Sequence, residues 1–134
     1  MVQHPVDVSL HLFADASLKA YGTVAYQWEV APDGLIHVCI LSTRSHVVPL
    51  NPAWALHHFS IPRLELTSML KSVELRQFIE RSLGKFAVVK HWTDSECGLK
   101  QIHDKANPKK AFFANCLSKI YATSSPTQIL QITV

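Results

Sequence analysis

Apolar residues recur with period two over the first forty or so positions, then with the period of a helix from about residue 61 to 83. A chain that switches period in this way builds a sheet first and then lays helices on it. Residues 6–14 (VDVSLHLFA) alternate apolar and polar, as a half-buried strand does. Residues 21–30 (YGTVAYQWEV) are rich in aromatic and β-branched types, and residues 35–43 (LIHVCILST) form a third such run. Ala31-Pro32-Asp33-Gly34 supplies turn chemistry between the last two, since Pro presets φ and Gly tolerates positive φ. Three strands joined by short turns predict an antiparallel meander.

Residues 45–60 carry Pro49 and Pro52 and read as irregular, with room for a short helix around Ala53–His57. Next comes a long helix, with Ser60 or Ile61 as N-cap and Pro62 in the first turn, where a missing N–H costs nothing. Leu66, Met69, Leu70 and Val73 fall on one stripe, and Gly84 is placed to end the helix. A fourth strand follows at 86–93 (FAVVKHWT), then a short helix from about Ser95. Asn107-Pro108 opens a further helix with Phe112/Phe113, Cys116/Leu117 and Ile120/Tyr121 along one side. Residues 128–134 alternate like a fifth strand. The order β-β-β-α-β-α-α-β predicts one α/β domain spanning 1–134, a five-stranded mixed sheet with helices covering it.

Composition narrows the function. Apolar residues make up 48% of the chain and charged ones 17%, which excludes a disordered reading. No apolar run approaches the roughly 20 residues of a membrane span, so no membrane partner is expected. The N-terminus lacks a signal-peptide pattern, and the expected location is cytoplasmic, with a virus-like particle or the nucleus as further options. The formal net charge of +3 allows a polyanionic partner without requiring one. Three cysteines (Cys39, Cys97, Cys116) with no CxxC argue against a disulfide framework or zinc ribbon. His57 and His58 are adjacent and cannot share a helical face, so the eight histidines are expected on strands and surface.

Three carboxylates stand at ends of elements: Asp15 after strand one, Glu65 in the first turn of the long helix, Asp94 after strand four. Each has an ordinary explanation. Asp15 could cap a turn, Glu65 complement the helix dipole, and Asp94 cap the following helix. Together they suggest a shared site, in which mutual repulsion calls for hard divalent cations with oxygen ligands, Mg²⁺ or Mn²⁺. Two such ions about 3.5–4 Å apart can hydrolyse a phosphodiester. Lys100, Lys105, Lys109 and Lys110 form a basic cluster suited to phosphates, and Ser17 and Ser95 could donate to a 2′-OH or phosphate. A solvated surface and turn capping are the plain alternatives for these six.

Four stretches carry a family likeness: Leu12–Gly22 (LFADASLKAYG), Ile61–Leu66 (IPRLEL), Trp92–Ser95 (WTDS) and Ala111–Asn115 (AFFAN). With them the chain resembles the RNase H domain of retroelement polyproteins, most closely that of BEL/Pao-type LTR retrotransposons. The resemblance implies a ribonuclease H-like fold and two-metal-ion hydrolysis of the RNA strand of RNA–DNA hybrids during reverse transcription. It further implies two Mg²⁺ or Mn²⁺ ions in the complete domain and the reverse transcriptase region of a parent polyprotein as neighbour. Asp15, Glu65 and Asp94 match the first three of the family's four carboxylates. The fourth follows the last strand in the family, in a loop leading to a final helix, and no residue here takes that role. The expectation is therefore a domain truncated at its C-terminus, without that helix. Two functions stay open: a hybrid-cleaving endonuclease, or a catalytically incomplete or domesticated module that binds nucleic acid or polyprotein neighbours. A metal-independent α/β interaction domain is a third reading. Oligomeric state is left open by the sequence.

Overall fold

The computed structural model describes residues 5–48, 61–95, 100, 102, 103 and 111–131, with the backbone alone for residues 61, 62, 111–113 and 126. The elements are β1 (Asp7–Ala16), β2 (Ala20–Val30), β3 (Ile36–Val47), α1 (Ile61–Leu83), β4 (Val88–Thr93), α2 (Ala111–Thr123), a 3₁₀ turn (Pro126–Gln128) and β5 (Ile129–Gln131). Residues 100, 102 and 103 are also helical. The strands form one sheet in the order β3-β2-β1-β4-β5. β1–β2 and β2–β3 are antiparallel, and β1–β4 and β4–β5 are parallel. The predicted mixed sheet is present, with β1 at its centre beside β4.

The turn before β3 forms as its residues suggest. Gly34 has φ +88, its N–H donates to the Ala31 carbonyl at 2.9 Å, and the Asp33 carboxylate accepts the Leu35 N–H at 3.0 Å. β3 runs past residue 43, where the sequence suggested it would stop. A bulge at Leu41 shifts its register, and Ser42 to Val47 then pair with Ala25 to Ala20. Residues 45–47, expected to be irregular, are held in the sheet because β2 offers them a ladder. Leu41 itself packs against the apolar cluster of Leu10, Leu12, Ala25, Leu75, Ile79 and Val89.

α1 carries the predicted stripe. Leu66, Met69, Leu70 and Val73 are all buried, and Gly84, with φ +91, closes the helix through its N–H to the Glu80 carbonyl at 2.9 Å. Cys116, Leu117 and Ile120 of α2 are buried in the same cluster as Ala14, Ile102 and Ile129. The side chains of Phe112 and Phe113, also expected in that core, lie outside the described residues, as do Ser60, residues 53–57 and Asn107-Pro108. Both helices cover the face of β1 that bears Leu10, Leu12 and Ala14. The opposite face carries Phe13, Tyr26, Trp28 and Trp92, with Phe13 edge-on to Tyr26 and stacked on Trp92. Among the described residues no helix is long and apolar enough to cross a membrane.

Candidate functional site

The parallel pairing of β1 with β4 ends at Ala14 opposite Thr93. The next residues, Asp15, still paired with Gly22 of β2, and Asp94, the first residue past β4, therefore follow side by side at the carboxyl ends of adjacent strands, where α/β folds usually place ligands. Both are exposed, and both line one cavity of about 550 Å³ together with Ser17, Gly22, Thr43, Arg44 and Ser45. Gly22 has a local reason: a Cβ there would stand 3.1 Å from the Arg44 carbonyl oxygen. The Arg44 guanidinium carbon lies 5.1 Å from the Phe78 ring centroid on α1, a cation–π contact that holds this side chain on the helix-covered side of the sheet.

Glu65 comes from the helix side. It is the fifth residue of α1, so it sits just beyond the first turn in which the sequence placed it, because the helix starts at Ile61. Its Oε2 accepts a hydrogen bond from the Ser95 hydroxyl. It does not line the cavity shared by Asp15 and Asp94. Among the described residues no group of three or more His, Cys, Asp or Glu side chains is gathered as a metal cage. The structure thus sets Asp15 and Asp94 on one cavity and links Glu65 to the end of β4 through Ser95. Local donors account for the looser set. Asp15 Oδ1 takes the Ala16 N–H at 2.8 Å and Glu65 takes Ser95, while like charges disfavour closer approach.

The other expected contacts divide. Ser17 is exposed, and its hydroxyl organises the β1–β2 turn, accepting the N–H groups of Lys19 and Ala20 at 3.2 Å and donating to the Ala20 carbonyl. Ser95 is only 5% exposed, and its hydroxyl goes to Glu65 rather than to open surface. Lys100 is exposed; Lys105, Lys109 and Lys110 lie outside the described residues.

A second polar centre was missed from the sequence, which treated His91 as an ordinary strand histidine. His91 is fully buried. Its Nδ1 meets Ser72 Oγ at 2.8 Å and its Nε2 meets Ser124 Oγ at 3.0 Å. A neutral imidazole gives one N–H and accepts one O–H, and hydroxyls can play either part. Burial, and secondarily the charge of Arg76, push its pKa down to about 3. Arg76 donates to Ser124 Oγ at 2.9 Å and Gln128 Oε1 at 3.1 Å, and pairs with Glu80 at 2.6 Å. The signal was the strand alternation, which puts His91 on the same face as Val89 and Thr93. This centre ties α1, β4 and the segment after α2 together, and none of its residues lines the cavity of Asp15 and Asp94.

A five-stranded mixed sheet of this order, with helices flanking it and acids at the carboxyl ends of its central strands, defines an RNase H-like α/β protein. Residues 2–95 match the model of the Pao retrotransposon-like RNaseH-like domain, and the chain belongs to that family. No match is found among curated proteins. Solved structures share the fold at low identity. RNase H1 from the halophilic archaeon Halobacterium salinarum is similar with a TM-score of 0.52 and 12% identity, over 93% of this chain and 84% of that one. The N-terminal RNase H domain of rv2228c from Mycobacterium tuberculosis, fused to maltose binding protein, gives 0.53 and 14%, over 94% and 79%. LC11-RNase H1 in complex with RNA/DNA hybrid gives 0.53 and 12%, over 95% and 84%.

Proposed function

We propose that this chain is the RNase H-like module of a Pao-type retroelement that engages RNA–DNA hybrid, with nucleic-acid binding as the activity its described residues account for best. The observation that carries this reading is the cavity at the ends of β1 and β4, which brings Asp15 and Asp94 together with Ser17, Thr43 and Ser45. Hydroxyls suit phosphate and sugar oxygens. Further support comes from family membership and from the hybrid bound to LC11-RNase H1, a protein of similar fold. In the parent polyprotein the neighbour would be the reverse transcriptase region.

Two exposed carboxylates facing a phosphate backbone oppose binding unless a cation intervenes. The donors here fit a hard divalent cation, Mg²⁺ or Mn²⁺: all are oxygens, and the local hydrogen bonds use Oδ1 of Asp15 and Oε2 of Glu65, leaving the second oxygen of each. Asp15 and Asp94 would hold it, with Glu65 as third donor. When bound, such ions supply charge neutralisation at the phosphodiester and activation of a water. Ser17 keeps the β1–β2 turn shaped beside Asp15.

A second reading, hydrolysis of the RNA strand, is favoured by the placement of Asp15 and Asp94 at one strand end with Glu65 tethered beside it. Fluorescence anisotropy with labelled hybrid, duplex DNA and single-stranded RNA, with and without Mg²⁺ or Mn²⁺, separates the two. Binding predicts a preference for hybrid that strengthens with divalent cation. In metal-free buffer Asp15→Asn should tighten binding about five-fold, on the basis of ~1 kcal/mol for a pair of unit charges near 4 Å in water. Hybrid cleavage that needs Mg²⁺ and disappears in Asp15→Asn would replace this reading with the second. Equal affinity for all three nucleic acids would remove both.

A further inference from the structure

We propose that Ser95 is a positioning residue for Glu65, a role that rests on the carboxylates forming a divalent-cation site. β4 ends at Thr93, and the buried Thr93 hydroxyl accepts the Ser95 N–H at 3.1 Å. That bond turns the chain so that Asp94 faces solvent while Thr93 and Ser95 face inward. Ser95 lands beside α1, thirty residues away in sequence, and its hydroxyl donates to Glu65 Oε2. At 5% exposure this hydroxyl is out of reach of a nucleic acid on the surface.

Consecutive residues at the end of β4 thereby act on the same site in different ways. Asp94 offers its own carboxylate to the cavity. Ser95 fixes the carboxylate that arrives on the helix. Glu65 is the one member of the set with a long side chain, and it is half-buried. Without a donor its carboxylate would sample several rotamers or turn towards water. With Oε2 held, Oε1 is the oxygen committed to a cation. Groups that orient ligating carboxylates in this way typically contribute about 10–100-fold to metal affinity. The device also couples the α1 N-terminal region to β4, so any shift of one strand end moves two of the three acids together.

The test is Mn²⁺ binding to the whole chain, read by water-proton relaxation and by calorimetry, with no substrate present. Ser95→Ala should weaken Mn²⁺ binding at least ~10-fold, and Ser95→Cys, which leaves no gap but donates poorly, should do the same. Ser95→Thr, which keeps the hydroxyl, should restore most of it. Metal-free hybrid affinity should stay unchanged in all three, because Ser95 does not touch the ligand. Glu65→Gln is the reference for complete loss of that donor. Weakened binding in Glu65→Gln with wild-type binding in both Ser95→Ala and Ser95→Cys overturns the role of Ser95 and leaves the carboxylate site standing. Wild-type binding in Glu65→Gln as well overturns the cation site and this role with it.

Discussion

His91 and Asp94 lie three residues apart at the end of one strand and have opposite surroundings. His91 is fully buried between α1 and the segment after α2, with both ring nitrogens engaged by hydroxyls. Asp94 is exposed on the wall of a cavity it shares with a second carboxylate. Around His91 the fold pairs the polar groups it encloses, because a buried group left unpaired costs about 1–3 kcal/mol. At the strand ends it leaves charge facing outward and accepts the repulsion. The first arrangement serves stability, and the second is available for a ligand.

The largest effect should come from breaking the closed side. His91→Ala removes a buried ring, strands the Ser72 hydroxyl and leaves Ser124 with Arg76 alone, and should cost about 3–5 kcal/mol in urea denaturation. A loss below about 1 kcal/mol would mean that the pairing around His91 does not hold the helices to the sheet.

Acid should open the same centre without mutation. The folded ring takes a proton only near its depressed pKa of about 3, whereas the unfolded ring titrates near 6.5. Between these values the unfolded chain binds more protons, so stability is fully present above pH 6.5 and falls as pH drops, by about 1.4 kcal/mol per unit. His11 acts in the same direction, with a pKa lowered by burial and by Lys90. Its Nδ1 accepts the Trp92 indole N–H at 3.0 Å, a bond that protonation would break. Urea midpoints at pH 7.5, 5.5 and 4.5 should fall in that order, and His91→Asn should flatten the trend. A flat profile for the wild type would contradict the closed environment of His91.

The smallest stability change belongs to the open side. Asp94→Asn should alter folding stability by no more than about 0.5 kcal/mol, as for exposed positions generally, while metal-free hybrid binding tightens. A large stability loss there would show that Asp94 is structural and would erase the contrast.

Much of this was legible beforehand. The helix over 61–83 could be read because its stripe is long and its ends carry Pro62 and Gly84. β1 and β2 could be read from their alternation. The nearness of Asp15 and Asp94 followed once β1 and β4 were neighbours, since each acid directly follows a residue of the last β1–β4 pair. β3 was read short because Arg44, Ser45 and His46 are polar, and only the ladder from β2 shows that they continue the strand. Ser95 looked like a surface hydroxyl because a motif gives its order in the chain and not its direction.

What the sequence determined by itself was local: which stretches are strands, where the long helix starts and stops, and that acids stand at three element ends. Periodicity and end residues are properties of neighbours in the chain, so they can be read without a fold. The tertiary structure alone decided that His91 is sealed between two serines 19 and 33 residues away, and that Glu65 is tied to Ser95. These bonds depend on how α1 lies across the end of β4. That packing is set by the combined burial of residues from α1, α2 and the sheet, a sum over the whole core that no single stretch of sequence displays.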